Sequence, residues 1–175
     1  MILIFLIAIS LSMDAFSLAL AYGTISLPKN DIKLLSVIVG LYHFFMPILG
    51  MLFGKLINDF IHIGGDLIVL IIFSFIGTNM IIESFKNKGN IKQMEMTEMI
   101  LFGLAVSIDS FSIGIGINNI NNNYILCSCV FAITSLIFTY AGLVLGKRIN
   151  QLIGNVSTII GGIILILFGI VYFIK

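Results

Sequence analysis

Six long apolar runs follow one another along this 175-residue chain, with little polar sequence between them. A helix needs about 20 apolar residues to cross the hydrocarbon core of a bilayer. Charged residues make up only 10% of the chain, whereas soluble domains carry about 25%. The mean hydropathy is +1.19. The sequence therefore predicts an all-α integral membrane protein of six transmembrane helices, near 2–22, 34–57, 66–84, 99–119, 124–146 and 155–174.

Other interpretations of the apolar sequence fit less well. Ala19-Leu20-Ala21 resembles a signal-peptide cleavage motif, but no basic residue precedes the first run and Asp14 interrupts it, so we expect a retained helix. A membrane β-barrel would show alternating rather than continuous apolar sequence. The scattered Lys and Arg residues form no basic patch, so no nucleic-acid partner is expected. Cys127 and Cys129 lie two residues apart in an apolar run and are interpreted as small buried hydrophobes rather than as a disulfide or soft-metal site.

The basic residues predict an orientation. Cytoplasmic loops of membrane proteins are enriched in Lys and Arg. Only Lys55 and Lys175 lie on the side of the even-numbered loops and the C-terminus. The loops after the first, third and fifth spans hold the others: Lys29, Lys33, Lys86, Lys88, Lys92, Lys147 and Arg148. We therefore expect these loops in the cytoplasm and both termini outside.

The two halves of the chain resemble each other. Ser12-Met13-Asp14-Ala15-Phe16-Ser17 matches Ser107-Ile108-Asp109-Ser110-Phe111-Ser112, 95 residues further on. Downstream matches fall at an offset of 92 residues and pair Gly50, Gly54, Lys55, Ile57 and Asn58 with Gly142, Gly146, Lys147, Ile149 and Asn150. Since each half holds three spans, the second half inserts upside down, a common plan of secondary transporters. We expect an inverted repeat of 1–85 and 99–175, joined by a cytoplasmic loop at 86–98.

Asp14 and Asp109 are the equivalent acidic residues of the two repeats, and both fall near the middle of a predicted span. An aspartate at that depth costs about 2.5–3.5 kcal/mol on insertion scales and is a functional hypothesis by default. All nine Lys and Arg residues lie in loops or at span ends, so a proton or a bound cation must neutralise the carboxylates. If the two helices meet at the pseudo-two-fold axis, the carboxylates face one site near the bilayer midplane.

Oxygen-bearing neighbours favour a hard cation at this site. Ser17 and Ser112 each follow their aspartate by three residues and share its helix face. His43 could be a ligand, a proton carrier or a hydrogen-bonded packing residue. Asn79 could give an oxygen to the site, although bonding to another helix is the simpler interpretation. Glu83, near a span end, could be a ligand or only a solvated anchor.

These motifs resemble the bacterial manganese efflux pump family, the MntP-type exporters. The resemblance rests on the two Ser-x-Asp-x-Phe motifs, on Met46-Pro47-Ile48-Leu49-Gly50 and on Met80-Ile81-Ile82-Glu83, and it covers essentially the whole chain. It implies an inner-membrane exporter whose transported substrate is Mn²⁺, with no permanently bound cofactor and with intramembrane acidic residues as ligands. His43 and Asn79 depart from the residues usual in the family, which leaves the exact ion open.

The sequence is compatible with several functions. The leading hypothesis is a secondary exporter of a divalent cation, most simply Mn²⁺, driven by an ion gradient, because no G-x-x-x-x-G-K-[ST] nucleotide loop is present. The alternatives are a carrier of Cd²⁺ or Fe²⁺ and a sporulation-associated membrane factor without transport activity. An enzyme is disfavoured, and the oligomeric state is left open.

Overall fold

The computed structural model of the protein describes residues 2–25, 27–57, 65–86, 94–117 and 124–174. Within these ranges the chain forms six helices, and the predicted all-helical fold is confirmed. Their bounds are α1 Ile2–Gly23, α2 Lys29–Ile57, α3 Gly65–Lys86, α4 Met96–Ile117, α5 Tyr124–Ile153 and α6 Asn155–Ile174. Most of the predicted connecting loop, and residues 118–123 around the junction of the predicted fourth and fifth spans, lie outside the described residues.

The helices differ from the predicted spans chiefly at their ends. α2 begins five residues early and α4 begins inside the predicted loop, at Met96. α5 continues past Lys147 and Arg148 to Ile153, because polar residues can extend a helix beyond the bilayer as readily as end it. It ends at Gly154, whose φ of 69° lies in the left-handed region that glycine adopts without strain.

Four of the described helices contain apolar stretches long enough to cross a membrane: Ile4–Gly23, Lys29–Leu52, Met96–Gly114 and Ile125–Leu152. Shorter apolar stretches occur in α3, at Phe73–Ile82, and in α6, at Val156–Val171. Large apolar side chains cover the outside of the bundle; Phe85, Leu152 and Ile174 are each at least 75% exposed. Such a surface requires an apolar solvent.

Helix packing follows a simple scheme. α1 packs most extensively on α5, α2 on α4, and α3 on α6, and α2 also packs on α5. The α1–α5 pair runs parallel, since Ser12 contacts Ser135 and Leu20 approaches Gly146. The α2–α4 pair also runs parallel, because Gly103 lies against Tyr42 and Gly114 against Pro47.

Polar contacts tie the α1–α2 connection to the second half of the chain. The Lys147 ammonium donates a hydrogen bond of 2.6 Å to the carbonyl oxygen of Leu27. Thr158 donates its hydroxyl to the carbonyl oxygen of Thr24 at 2.8 Å. The carboxylate of Asp31 accepts a hydrogen bond of 3.0 Å from the backbone N–H of Met94, just before α4. These contacts bring the α1–α2 loop, the start of α4 and the end of α5 to one end of the bundle, called here the loop end.

Candidate functional site

One face of α4 carries two carboxylates and an aromatic ring. Glu98, Phe102 and Asp109 stand at positions i, i+4 and i+11, which fall within about 40° of one another around a helix of 3.6 residues per turn. Phe102 is fully buried, whereas Glu98 and Asp109 are half-buried. Asp109 thus belongs to the face of α4 that begins at the loop end with Glu98.

α1 presents a matching ridge. Asp14, Leu18 and Tyr22 follow one another at four-residue spacing, the spacing that forms side-chain ridges along a helix. Tyr22 and Leu18 are buried, and Asp14 is exposed. Neighbouring residues therefore cover this ridge near the loop end, whereas the ridge is exposed at Asp14.

The two faces meet at Tyr22 and Phe102. Their ring centroids are 5.0 Å apart, and the Tyr22 hydroxyl donates a long hydrogen bond of 3.5 Å to Oε2 of Glu98. α4 runs parallel to α2, and the short connection after α1 reverses the chain, so α1 and α4 are antiparallel. The positions of the two aspartates along their helices can therefore be compared by measuring from this ring pair.

The antiparallel direction places both aspartates on the same side of the ring pair. At a rise of about 1.5 Å per residue, Asp14 lies about 12 Å along α1 from Tyr22, and Asp109 lies about 10 Å along α4 from Phe102. The two carboxylates are therefore at nearly the same depth. We call the ridge of α1 and the face of α4 that carry them the α1–α4 lane.

The two equivalent aspartates differ in their surroundings, because Asp14 is exposed and Asp109 is half-buried. The reason is the direction in which α1 packs. Its closest contact with α5 runs along small residues such as Ala15 and Ala19, both fully buried, and Asp14 projects away from that contact.

The two serines remain within one helical turn of the aspartates. Ser17 is half-buried, and its hydroxyl donates a hydrogen bond of 2.9 Å to the carbonyl oxygen of Met13. Ser112 is exposed. Both hydroxyl oxygens keep lone pairs with which they could bind a cation beside the carboxylates.

His43 lies on a different face. It is fully buried on α2, between the contacts of Tyr42 with Gly103 and of Pro47 with Gly114. Its Nδ1 lies 2.9 Å from the carbonyl oxygen of Val39, while Nε2 has no hydrogen-bond partner among the described residues. Asp109 lies on the side of α4 turned away from these contacts with α2, the helix that carries the imidazole.

The remaining candidates belong to α3. Asn79 is half-buried on a helix that packs mainly on α6 and only slightly on α4. The side chain of Glu83 lies outside the described part of the structure. Among the described residues, no group of three or more His, Cys, Asp or Glu side chains could hold a metal ion. A cation in the α1–α4 lane would therefore depend on the two aspartates together with hydroxyl, carbonyl or water oxygens.

Sequence reasoning missed Glu98 and Tyr22 as parts of this arrangement. The i, i+11 spacing of Glu98 and Asp109 was a usable signal, because it places both on one helix face. The position of Tyr22 carried no such signal, because its role depends on the contact between α1 and α4.

Comparison with known proteins decides the family. The sequence model of a family described as "Putative manganese efflux pump" matches residues 26–173. The chain belongs to this family. The resemblance found in the sequence is thus confirmed, and so is the expectation of a transporter rather than an enzyme. With the apolar helices, family membership identifies a multi-pass membrane protein.

Relatives of the efflux pump family cover nearly the whole chain. A protein named "Putative manganese efflux pump MntP" from Bacillus velezensis is 36% identical over 171 residues, which is 94% of this chain and 90% of the relative. Proteins of the same name from Bacillus pumilus and Methanobrevibacter smithii are 34% and 33% identical, over 94% and 97% of this chain and 90% and 95% of theirs. No solved structure matches the chain.

Proposed function

We propose that this protein is a secondary exporter of divalent cations, with Mn²⁺ as its principal substrate, in the bacterial inner membrane. The observation that carries the proposal is the nearly equal depth of two carboxylates, Asp14 and Asp109, on the antiparallel helices α1 and α4, on the same side of the Tyr22–Phe102 contact. The names of the relatives supply the choice of ion. Carboxylate and hydroxyl oxygens are ligands that suit Mn²⁺.

In the proposed site, Asp14 and Asp109 bind the cation directly, and Ser17 and Ser112 complete its oxygen shell. A divalent ion neutralises both carboxylates at once, which offsets the cost of holding them in the membrane. The exposure of Asp14 gives the ion access to the site. His43, on α2, and Asn79, on α3, are assigned no direct contact with the ion.

An inverted repeat underlies this proposal, and the packing supports it. Exchange of α1 with α4, α2 with α5 and α3 with α6 converts the α1–α5 contact into the α4–α2 contact. The α3–α6 and α2–α5 contacts are converted into themselves, and the lesser α1–α6 contact becomes α4–α3. Every major helix pair thus has its counterpart.

The close contacts of two equivalent glycines also match between the two halves. A Cβ added at Gly50 of α2 would collide with the carbonyl oxygen of Phe111 of α4. A Cβ added at Gly142 of α5 would collide with the carbonyl oxygen of Phe16 of α1. Gly50 and Gly142 are equivalent in the repeat, as are Phe111 and Phe16. Two symmetric halves that rock about a central site would give alternating access.

Six membrane crossings and an outside location of both termini complete the proposal. The loop end gathers the α1–α2 connection, Met94 and Lys147, as expected if these segments share one membrane face. The excess of basic residues in the same loops assigns that face to the cytoplasm. A reporter fused after Lys175 should therefore be active only outside the cytoplasm.

An ion gradient is the proposed energy source, since the 175 residues contain no nucleotide-binding loop. A test compares cellular metal content in cells that lack the protein and in cells that express the wild type, Asp14→Asn or Asp109→Asn. Mn²⁺, Cd²⁺ and Fe²⁺ should be measured in parallel. We expect the wild type to lower Mn²⁺ most and both variants to lose this effect while still inserting in the membrane. Wild-type activity in both variants would contradict the proposal, and a larger effect on Cd²⁺ or Fe²⁺ would change the substrate.

A further inference from the structure

The α1–α4 lane is closed at the loop end by Tyr22 and Phe102. Both side chains are at most 1% exposed, and their rings lie 5.0 Å apart. The contact of two buried aromatic rings favours the arrangement in which α1 and α4 touch at this point.

A third carboxylate stands on the other side of this ring pair. Glu98 shares the α4 face of Asp109 and lies about 16 Å from it along the helix axis, at about 1.5 Å per residue. The Tyr22 hydroxyl bonds to its Oε2 at 3.5 Å, near the long limit for a hydrogen bond. A cation that reaches the lane from the loop end meets Glu98 before it meets the rings.

We propose that the Tyr22–Phe102 ring pair is the inner gate of the transport path and that Glu98 is the carboxylate that binds the divalent cation on the cytoplasmic side of this gate. The proposal rests on the proposed function and orientation. The cation competes with the Tyr22 hydroxyl for Oε2 of Glu98. It therefore binds more strongly when Tyr22 has moved away, and this difference in affinity shifts the protein toward the open state.

The gate is tested by accessibility, without any transported metal. In a Cys127→Ser, Cys129→Ser background, Ser10→Cys places one thiol on the exposed face of α1, one turn beyond Asp14 from the gate. A membrane-impermeant maleimide is applied to each side of oriented vesicles. We expect labelling from the outer side only. Added Phe102→Ala should raise labelling from the inner side by at least about tenfold, the effect of losing some 1.4 kcal/mol from the closed state.

A second ring pair provides the matched control. Phe16 and Phe138 contact each other edge to face, with centroids 6.3 Å apart, across the α1–α5 contact. Phe138→Ala removes a ring of the same size and should leave labelling one-sided. The proposed gate would be refuted if the Ser10→Cys protein with both rings intact were labelled from both sides. It would also be refuted if added Phe102→Ala left the labelling one-sided.

The role of Glu98 is tested by the KM for Mn²⁺ in vesicles loaded from the inner side. Glu98→Gln should raise the KM by about tenfold, the effect of roughly 1.4 kcal/mol, with a smaller change in kcat. Glu95→Gln, at an exposed position three residues earlier, should leave both constants unchanged. An unchanged KM in Glu98→Gln would overturn this role. If the wild type moved no Mn²⁺, the proposed function would fail together with the role of Glu98, while the labelling result would still decide the gate.

Discussion

The segments α1–α3 and α4–α6 carry the same Ser-x-Asp-x-Phe motif and pack in the same scheme, yet they differ around the two aspartates. Asp14 is exposed and its counterpart Asp109 is half-buried. Glu98 has Leu3 as its counterpart at the same offset. The buried imidazole of His43 on α2 corresponds to the buried hydroxyl of Ser135 on α5.

These differences show where two halves with similar packing carry different functional side chains. The shared residues, chiefly glycines and the aspartates, build two similar halves around the α1–α4 lane. Glu98 has no acidic counterpart in the first half, and it lies at the loop end. Under the proposed export function, the cation would therefore meet different residues on the two membrane sides.

The largest expected effect concerns the glycines that the two halves share. Gly50→Ala and Gly142→Ala each place a Cβ against a backbone carbonyl of the neighbouring helix. Each should lower the free energy of unfolding by about 3 kcal/mol, the upper end for overpacked sites. Chemical unfolding in detergent measures this. Gly169→Ala, whose Cβ would lie 3.3 Å from its nearest atoms, is the control and should cost less. A loss at only one of Gly50 and Gly142 would break the comparison between the halves.

The next effect concerns the contacts that hold the halves together at the loop end. Lys147→Met removes the charged donor that bonds to the carbonyl oxygen of Leu27. The expected loss in the free energy of unfolding is about 1.5 kcal/mol, as for hydrogen bonds of charged groups. Arg148→Met removes an equal charge from an exposed neighbour and should cost much less. Equal losses in the two variants would show that charge, rather than this contact, matters.

Asp14 and Asp109 should respond unequally to a longer acidic side chain. Asp14→Glu adds one methylene at an exposed position and should leave most Mn²⁺ transport. Asp109→Glu adds it among packed neighbours and should reduce transport about tenfold, since overpacking costs about 1–3 kcal/mol. Initial rates of Mn²⁺ flux in vesicles distinguish the two. The same response in both variants would mean that their surroundings are equivalent during transport.

The smallest effect concerns the hydroxyl pair of Ser12 and Ser135, 3.3 Å apart between α1 and α5. A double-mutant cycle with Ser12→Ala and Ser135→Ala should give a coupling energy of about 0.6 kcal/mol, typical of polar contacts between membrane helices. Ser12→Ala combined with Ser128→Ala, a more distant hydroxyl on α5, should show no coupling. Absence of coupling in the Ser12–Ser135 cycle would show that this hydroxyl contact does not stabilise the α1–α5 pair.

Much of the fold followed from the sequence, because long apolar runs leave a chain few choices besides membrane helices. Helix ends were predicted less well. Lys147 and Arg148 suggested the end of a span, but their helix continues to Ile153, since a charged residue ends the apolar run and not the backbone hydrogen bonding.

The candidate site was only partly predictable. The repeated motif and the mid-span position identified Asp14 and Asp109, because a charged residue in an apolar run is conspicuous. Their exposure, the separation of His43 from them and the contact of Tyr22 with Phe102 all depend on how the helices are rotated against one another. Nearly uniform apolar helices give little sequence information about that rotation, since most faces look alike.

We propose that Asp14 and Asp109 hold one cation between them, and Mn²⁺ binding to the purified protein measures this directly. Equilibrium binding followed by the EPR signal of free Mn²⁺ should give one ion per chain for the wild type. Asp14→Asn and Asp109→Asn should each abolish that binding. Full binding in either single variant, or two wild-type ions of which the two variants lose different ones, would contradict a shared site.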